Sequence, residues 1–152
     1  MKAVLQRVSS ASVRIGDEAV GAIGRGFVVL LGVVGGDGVE EADFLAEKAA
    51  NLRIFGDADG KMNRSLLDIG GEMLVVSNFT LCADMRHGRR PSFTQAAEPK
   101  MAESLYLRFV AAAKDTGVAS VQTGHFGADM HVCIENDGPV TIILDTDEIM
   151  KR

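Results

Sequence analysis

The sequence contains no tryptophan, two cysteines and three prolines among its 152 residues. Cys82 and Cys133 form no metal-binding or disulfide pattern, so we expect a reducing compartment and two small thiols that are buried or half-buried. The longest apolar run, residues 27–34, is interrupted by Gly32 and is far shorter than the about 20 residues that cross a bilayer. The N-terminal segment also lacks the apolar region of a signal peptide. These absences predict a cytoplasmic protein without a membrane partner.

The motifs of several common enzyme classes are missing as well. The sequence has no P-loop, no HExxH, no CxxC, no GxSxG and no GxGxxG after a strand. Its histidines, His87, His125 and His131, are scattered without a ligand spacing. Asp57 and Asp59 resemble the start of a calcium loop, but the rest of that pattern fails. We therefore expect neither a metal nor a cofactor.

The composition is that of an ordinary globular protein. Apolar residues make up 47% of the chain and charged residues 24%, which argues against disorder. The length suits one domain over residues 1–152, which would bury about two-thirds of its unfolded surface. The net charge of −5 argues against a protein that coats nucleic acid in general.

The hydrophobic patterns predict a strand-rich chain with two main helices. Alternating or continuously apolar segments predict strands at residues 4–8, 13–15, 19–23, 27–34, 73–79, 118–123, 130–136 and 140–144. One helix is predicted over 39–53 and a second from Pro99, while 55–71 and 83–99 read as loops and the tail after Asp145 as fraying. The second helix should bury one face, formed by Ala102, Leu105, Tyr106, Phe109 and Ala113. This order predicts the α+β class, with a mixed or antiparallel sheet that curls toward a barrel.

Two short segments beside strand ends are candidates for chemistry. SNFTL begins at Ser77, and its hydroxyls, Ser77 and Thr80, would lie at a cleft edge. A threonine nucleophile needs a base within hydrogen-bond reach, and none is close in sequence. NDGPVT contains Gly138-Pro139, which suits neither a ladder position nor a strand interior. This pair is either a plain turn or a rigid wall of main-chain carbonyls, and a step before proline is the commonest kind of place for a cis peptide bond.

The predicted loop over residues 83–99 carries the densest basic cluster of the sequence. Arg86, Arg89 and Arg90 lie within it, with Lys61 and Arg64 as further candidates from a neighbouring loop. A loop of this length in a compact domain is more often functional than not. The cluster would contact phosphates, or it would form an ordinary solvated loop.

These motifs together resemble the D-aminoacyl-tRNA deacylase family, of the D-tyrosyl-tRNA deacylase type. The resemblance covers essentially the whole chain and rests on seven ordered segments: MKAVLQRVSSASV at the start, 51–55, 60–63, LVVSNFTL at 74–81, GRRPSF at 88–93, FGADM at 126–130 and NDGPVT at 136–141. One position departs from the family pattern, because Asn78 stands where the family usually has glutamine. The amide is kept, but it is one methylene shorter.

The resemblance implies a homodimer that hydrolyses the ester between a D-amino acid and tRNA, without a metal or cofactor. In the family a cis Gly-Pro pair, here Gly138 and Pro139, enters the partner's pocket, and an arginine that matches Arg7 braces it. The resemblance also assigns catalytic and substrate-binding positions. The catalytic ones are Ser77, Phe79 and Thr80, and the further substrate-binding ones are Asn78, Phe126 and Met130. Arg86, Arg89 and Arg90 would bind the tRNA.

Such a site would work by rejecting the wrong substrates. A wall of main chain excludes an L-substituent whatever its side chain, and it would also accept glycyl-tRNA. Backbone N–H groups near Phe79 and Thr80 would stabilise the oxyanion, with the ribose hydroxyl of the tRNA assisting. A covalent route through Thr80 is the alternative mechanism. Two rival functions are a non-catalytic module that binds the tRNA acceptor end and a general esterase with a Thr80 nucleophile.

Overall fold

One long strand at the N-terminus organises the sheet. The computed structural model describes residues 1–151, and its first strand, β1 (Lys2–Ile15), is hydrogen-bonded along both edges. On one edge, the first half of β1 pairs with β3 (Gly26–Gly32) and the second half with β2 (Glu18–Ile23). On the other edge, β8 (His131–Asp145) pairs with β1 over almost its full length. All three pairings are antiparallel.

The sheet continues beyond β3 through two parallel strands and curls back on itself. β6 (Glu72–Ser77) pairs with β3, and β7 (Ser120–Thr123) pairs with β6. The curl brings β2 against β7, where a Cβ atom on Gly21 would lie 2.6 Å from the carbonyl oxygen of Thr123. Only glycine allows this close approach. The α+β class with a mixed, curled sheet is thereby confirmed.

Helices and a small ribbon complete the chain. The two main helices are α1 (Val39–Asn51) and α3 (Pro99–Asp115), as predicted, and α3 begins with proline in its first turn. The remaining elements are short: β4 (Phe55–Gly56), β5 (Met62–Arg64), α2 (Leu66–Ile69), a 3₁₀ helix (Phe79–Cys82) and α4 (Thr146–Ile149).

The sheet has a separate apolar core on each face. One core lies under α1 and α3 and includes Phe27, Met73 and Phe109, all fully buried. The other fills the inside of the curl, where Val28, Leu74 and their neighbours pack. Successive residues of β3 and β6 point to opposite faces, so continuous apolar runs in these strands serve both cores. The predicted buried face of α3 belongs to the first core, with Ala102, Leu105, Tyr106, Phe109 and Ala113 all buried.

Several sequence predictions need correction. Residues 4–8 and 13–15 form the single strand β1, and residues 130–136 and 140–144 form the single strand β8, because bulges offset the alternation without ending the pairing. The strand predicted over 73–79 ends at Ser77, where the 3₁₀ helix takes over. The loop predicted over 55–71 contains β4, β5 and α2.

Two predictions about individual residues were also wrong. Cys133 is exposed, because alternate residues of β8 face outward, whereas Cys82 is buried as expected. The tail does not fray after Asp145, because Thr146–Ile149 form α4 and the Thr146 side chain is fully buried. Arg152 lies outside the described residues.

A buried charge joins the start of the chain to α4. The ammonium of Met1 donates to Asp37 Oδ1 at 2.7 Å and to Thr146 Oγ1 at 2.6 Å. The other carboxylate oxygen of Asp37 accepts the N–H of Val34 at 2.7 Å. Asp37 therefore supports both β1 and the turn before α1.

We predict that Asp37→Ala lowers the free energy of unfolding by about 3 kcal/mol, because it leaves a buried ammonium without its counter-charge. Asp43→Ala is the matched control. Asp43 makes an equally short contact with Arg108, at 2.6 Å, but both side chains are largely exposed, so water screens the pair and the loss should be much smaller. Urea unfolding of both variants measures the difference, and equal losses would contradict the prediction.

Candidate active site

A pocket opens where β6 ends. It has a volume of about 880 Å³ and lies between the SNFTL segment, residues 93–99 and residues 126–132. Ser77, Asn78, Phe79 and Thr80 all line it, as do Phe126 and Met130. The structure thus brings together six of the residues that the sequence predicts for catalysis and substrate binding. Its size suits a small substrate group.

The SNFTL segment is held in place by its neighbours. The N–H of Asn78 donates to the carbonyl of Leu31 at 2.8 Å, which extends the β3–β6 pairing by one bond. The chain then turns into the 3₁₀ helix, where Phe79 and Thr80 are both exposed and line the pocket. Among the described residues, no acceptor binds the backbone N–H of Phe79 or Thr80. Free N–H groups at a helix start suit a developing negative charge.

The hydroxyl of Thr80 has an amide as its partner. It donates to Asn78 Oδ1 at 2.5 Å. The asparagine that replaces the family's usual glutamine therefore makes its contact within the SNFTL segment. An amide oxygen is not a base. Among the described residues that line the pocket, none is a histidine, lysine or arginine, and the charged ones are Glu98 and Asp129. Nothing in the pocket resembles the histidine or amine base that usually activates a threonine nucleophile.

Aromatic rings form the rim and one wall of this pocket. Phe79 is 56% exposed and packs edge-on against Phe93, with ring centroids 4.9 Å apart. Phe126 packs 5.9 Å from the ring of Tyr106, whose hydroxyl donates to the carbonyl of Val75. Burial raises the pKa of Tyr106, so this phenol stays neutral and acts as a support for the wall.

Sequence reasoning missed part of the lining. Phe93 and residues 96–99 belong to the segment predicted as a loop, and Leu30 to a strand predicted as wholly buried. The one visible signal in this segment was Pro99, which marks the start of α3 and lines the pocket. No pattern in the sequence placed Leu30 at the opening.

Gly138, Pro139 and Arg7 lie elsewhere in the same chain. They line a second, smaller cleft of about 420 Å³, between β8 and the β4–β5 ribbon. The Gly138–Pro139 bond is cis, as the resemblance implies. Arg7 donates from Nε to the carbonyl of Asp137 at 3.1 Å and from Nη1 to the carbonyl of Ile54 at 2.7 Å. Arg7 therefore ties the Gly-Pro segment to the start of the ribbon.

The backbone at Gly138 requires glycine. Its φ is +128°, and a Cβ atom there would lie 2.9 Å from Val140 Cγ2 and 3.1 Å from Arg7 Nη2. Both groups belong to the support of the segment, so a side chain at this position would displace it.

The basic loop lines neither pocket. Residues 84 and 92 pair as a bridge and close it, and Arg86 forms a two-pronged contact with Asp84 at 2.6–3.1 Å. Hydrogen bonds from Arg86 lower the pKa of Asp84 to about 2, so this pair is neutral overall. Arg89 and Arg90 are exposed and pair with no described residue. Of the two further basic candidates, Arg64 ends β5 and Lys61 directly precedes that strand, and neither of them lines one of these two pockets.

Residues 1–151 contain no group of three or more histidine, cysteine or acidic side chains that could hold a metal ion. In the same residues no helix is both long and apolar enough to cross a membrane.

Comparisons with known proteins agree on one family. The family model for D-Tyr-tRNA(Tyr) deacylase matches residues 4–145. The D-aminoacyl-tRNA deacylase of Roseiflexus sp. (strain RS-1) is 62% identical over 146 residues, covering 96% of this chain and 94% of that protein. The enzyme of the same name from Thermus aquaticus is 57% identical over 148 residues, covering 97% of each chain.

Two solved structures share the fold. The one titled "c-Myc DNA Unwinding Element Binding Protein" is 44% identical, with a TM-score of 0.90 over 95% of this chain and 98% of that one. A structure titled as a probable eukaryotic D-amino acid tRNA deacylase has a TM-score of 0.80 at 18% identity, covering 94% of this chain and 97% of that one, and shows the fold alone. With nearly full coverage by the family model and by relatives above 50% identity, the chain belongs to the D-aminoacyl-tRNA deacylase family of hydrolases.

Proposed function

We propose that the chain removes D-amino acids, and also glycine, from tRNA by sterically rejecting L-aminoacyl esters at a site shared between two copies. One observation is the main support for a site shared between two copies. The catalytic segment at Ser77 and the Gly138-Pro139 segment line different pockets of one chain. A main-chain wall can select chirality only where it meets the substrate's alpha carbon, so the wall must come from a second copy.

Exposure along β8 supports this assembly. Gly138 and Pro139 are exposed on one chain, and Ile143 further along the same strand is 73% exposed. Among the described residues β8 pairs only with β1, and an unpaired strand edge is a surface on which another chain can dock. In a twofold dimer each chain would contribute its segment to the other, so two complete sites would form together.

Selection by excluding L-aminoacyl esters suits this substrate better than selection by tight binding of one side chain. The enzyme must accept D-amino acids with many side chains, so a pocket fitted to one side chain would be too narrow. A wall of backbone atoms excludes the L-substituent whatever its chemistry. Glycine has no side chain for the wall to exclude, and glycyl-tRNA therefore enters the same site.

The reaction proceeds without a nucleophile from the protein. A water oxygen attacks the ester carbonyl carbon, the bond to the ribose oxygen breaks, and that oxygen leaves with a proton. The free N–H groups of Phe79 and Thr80 suit the negative oxygen of the tetrahedral intermediate. The neighbouring ribose hydroxyl orients the water, since Thr80 itself has only the amide of Asn78 as a side-chain partner.

The tRNA end lies against the exposed loop. Arg89 and Arg90 are the cations of this loop without an acidic partner among the described residues, so they would contact phosphates, with Arg86 offset by Asp84. A local patch of this kind is sufficient for one acceptor end despite the net charge of −5. The cytoplasmic location that the sequence predicts is consistent with a tRNA substrate.

The proposed function is tested with one amino acid in both chiral forms on the same tRNA. We expect release of the D-amino acid and of glycine, with little release of the L-form. Sedimentation of the same preparation should show a dimer. A tRNA-binding module would release neither form, a general esterase would also cleave free aminoacyl esters of either hand, and a fully active monomer would exclude the shared site.

The role of Thr80 is tested by Thr80→Val, which removes the hydroxyl and keeps the shape. We expect kcat/KM to fall by less than about tenfold, because the variant loses one hydrogen bond, which contributes about 1 kcal/mol. For a substrate whose terminal ribose lacks its 2′-hydroxyl, kcat/KM should fall by about 10²–10⁴-fold, which is the usual contribution of a group that transfers a proton. The reverse pattern, with a loss on the order of 10⁴-fold in the variant, would identify Thr80 as the nucleophile.

The role of the loop is tested by replacing Arg89 and Arg90 with alanine. Binding of tRNA should weaken, and its dependence on salt should flatten by about one unit of slope for each lost phosphate contact. The double variant Asp84→Asn/Arg86→Gln is the control, because it leaves the net charge of the loop unchanged. The preference for D over L should stay intact in both, and a changed preference would place the loop at the amino-acid end.

A further inference from the structure

The Gly-Pro segment is an interruption in the longest ladder of the sheet. Gln6 pairs with Thr141 and Val8 pairs with Asn136, so residues 137–140 together stand opposite the single residue Arg7. We call residues 137–140 the excursion. A bulge of this kind leaves backbone groups without their ladder partners and needs a substitute for them.

The side chain of Asn136 supplies that substitute. Its Nδ2 donates to the carbonyl of Arg7 at 2.9 Å and to the carbonyl of Val140 at 3.0 Å. An amide nitrogen carries two hydrogens, one for each of these acceptors. The first bond joins the start of the excursion to β1. The second bond closes the excursion, because it joins Asn136, which directly precedes the excursion, to Val140 at its end. Asn136 is half-buried, so both bonds are partly shielded from water.

Arg7 holds the other side of the excursion. Its Nε donates to the carbonyl of Asp137 at 3.1 Å, and it also contacts the carboxylate of Asp137 at 3.5 Å. Arg7 thus fixes where the excursion begins, and Asn136 fixes where it ends. Gly138 and Pro139 lie between these two supports, and neither has a polar side chain that could hydrogen-bond to a neighbour.

We propose that Asn136 is a positioning residue for chiral selection, because its two hydrogen bonds set where Gly138 and Pro139 stand. This inference rests on the proposed function. Asn136 lines neither pocket, so it acts on the substrate only through the excursion. A wall that distinguishes two substituents on one carbon must be held to a fraction of an ångström, which the supporting residues have to provide.

Two substitutions remove the bonds in different ways. Asn136→Asp keeps the shape but places a carboxylate against two carbonyl oxygens, so it should push the excursion out of position. Asn136→Ala removes both bonds without adding repulsion, and it keeps the inference testable if the first variant does not fold. Gly138→Ala is the positive control for a displaced wall. Gln6→Ala is the matched negative control, because it removes only a 3.4 Å side-chain bond between the same two strands.

The measurement is kcat/KM for the D- and L-forms of one aminoacyl-tRNA, at a temperature well below the unfolding transition of each variant. We expect the D-to-L ratio of Asn136→Asp and Asn136→Ala to fall by about tenfold or more, which corresponds to about 1.4 kcal/mol between the two transition states. The ratio of Gln6→Ala should remain that of the unmodified enzyme. A merely structural role would lower both rates together and leave the ratio unchanged.

The controls separate failure of this inference from failure of the proposed function. If Gly138→Ala lowers the ratio and both Asn136 variants do not, the role of Asn136 is overturned and the wall stands. If none of the variants at these two positions changes the ratio, the wall itself is overturned and the role of Asn136 with it. If Gln6→Ala lowers the ratio as much as the Asn136 variants, any loosening of the two strands has this effect and the specific role is overturned.

Discussion

The pairing of β1 along both of its edges is the constraint on which the rest of the structure depends. One edge carries β3, and through it β6, whose last residue Ser77 begins the segment at the larger pocket. The other edge carries β8, whose interruption presents Gly138 and Pro139. Both candidate segments are thus placed by the same strand, but they lie on its opposite sides. Their separation within one chain follows from this topology, and the proposed exchange between two copies is a direct answer to it.

The two segments differ in how they are held, and this difference suits their proposed roles. Asn78 continues a parallel ladder by one bond and then leaves it for a 3₁₀ helix, so N–H groups become available at a strand end. The excursion instead interrupts a ladder that resumes on its far side, and Arg7 and Asn136 replace the missing bonds. The first arrangement leaves N–H groups available at a pocket, whereas the second fixes the position of a backbone segment whose Pro139 has no N–H to donate.

The parts of the fold that follow from short-range periodicity could be predicted from the sequence. The face of α3 from Ala102 to Ala113 repeats every three to four residues, and residues 27–34 are too apolar for any solvated element. The continuity of β1 and β8 could not be predicted, because a bulge shifts the alternation by one residue and looks like a strand end. The α4 helix was missed because its anchor, the Met1 ammonium on Thr146, joins residues 145 positions apart. For the site, the SNFTL and NDGPVT segments were visible, but their separation into two pockets depends on strand order, which periodicity does not encode.

The curled sheet has a seam where β2 and β7 are in contact. No strand ladder joins these two strands anywhere in residues 1–151, and Gly21 meets Thr123 only by close approach of their atoms. A barrel closed by hydrogen bonds resists any change of its radius, but a curl closed by contact alone can widen there without breaking a bond. Mechanical compliance is therefore concentrated at this seam. The stiff side of the sheet is where β1 is bonded to both β3 and β8, and the excursion is attached there. The SNFTL segment instead follows β6, which pairs with the seam strand β7.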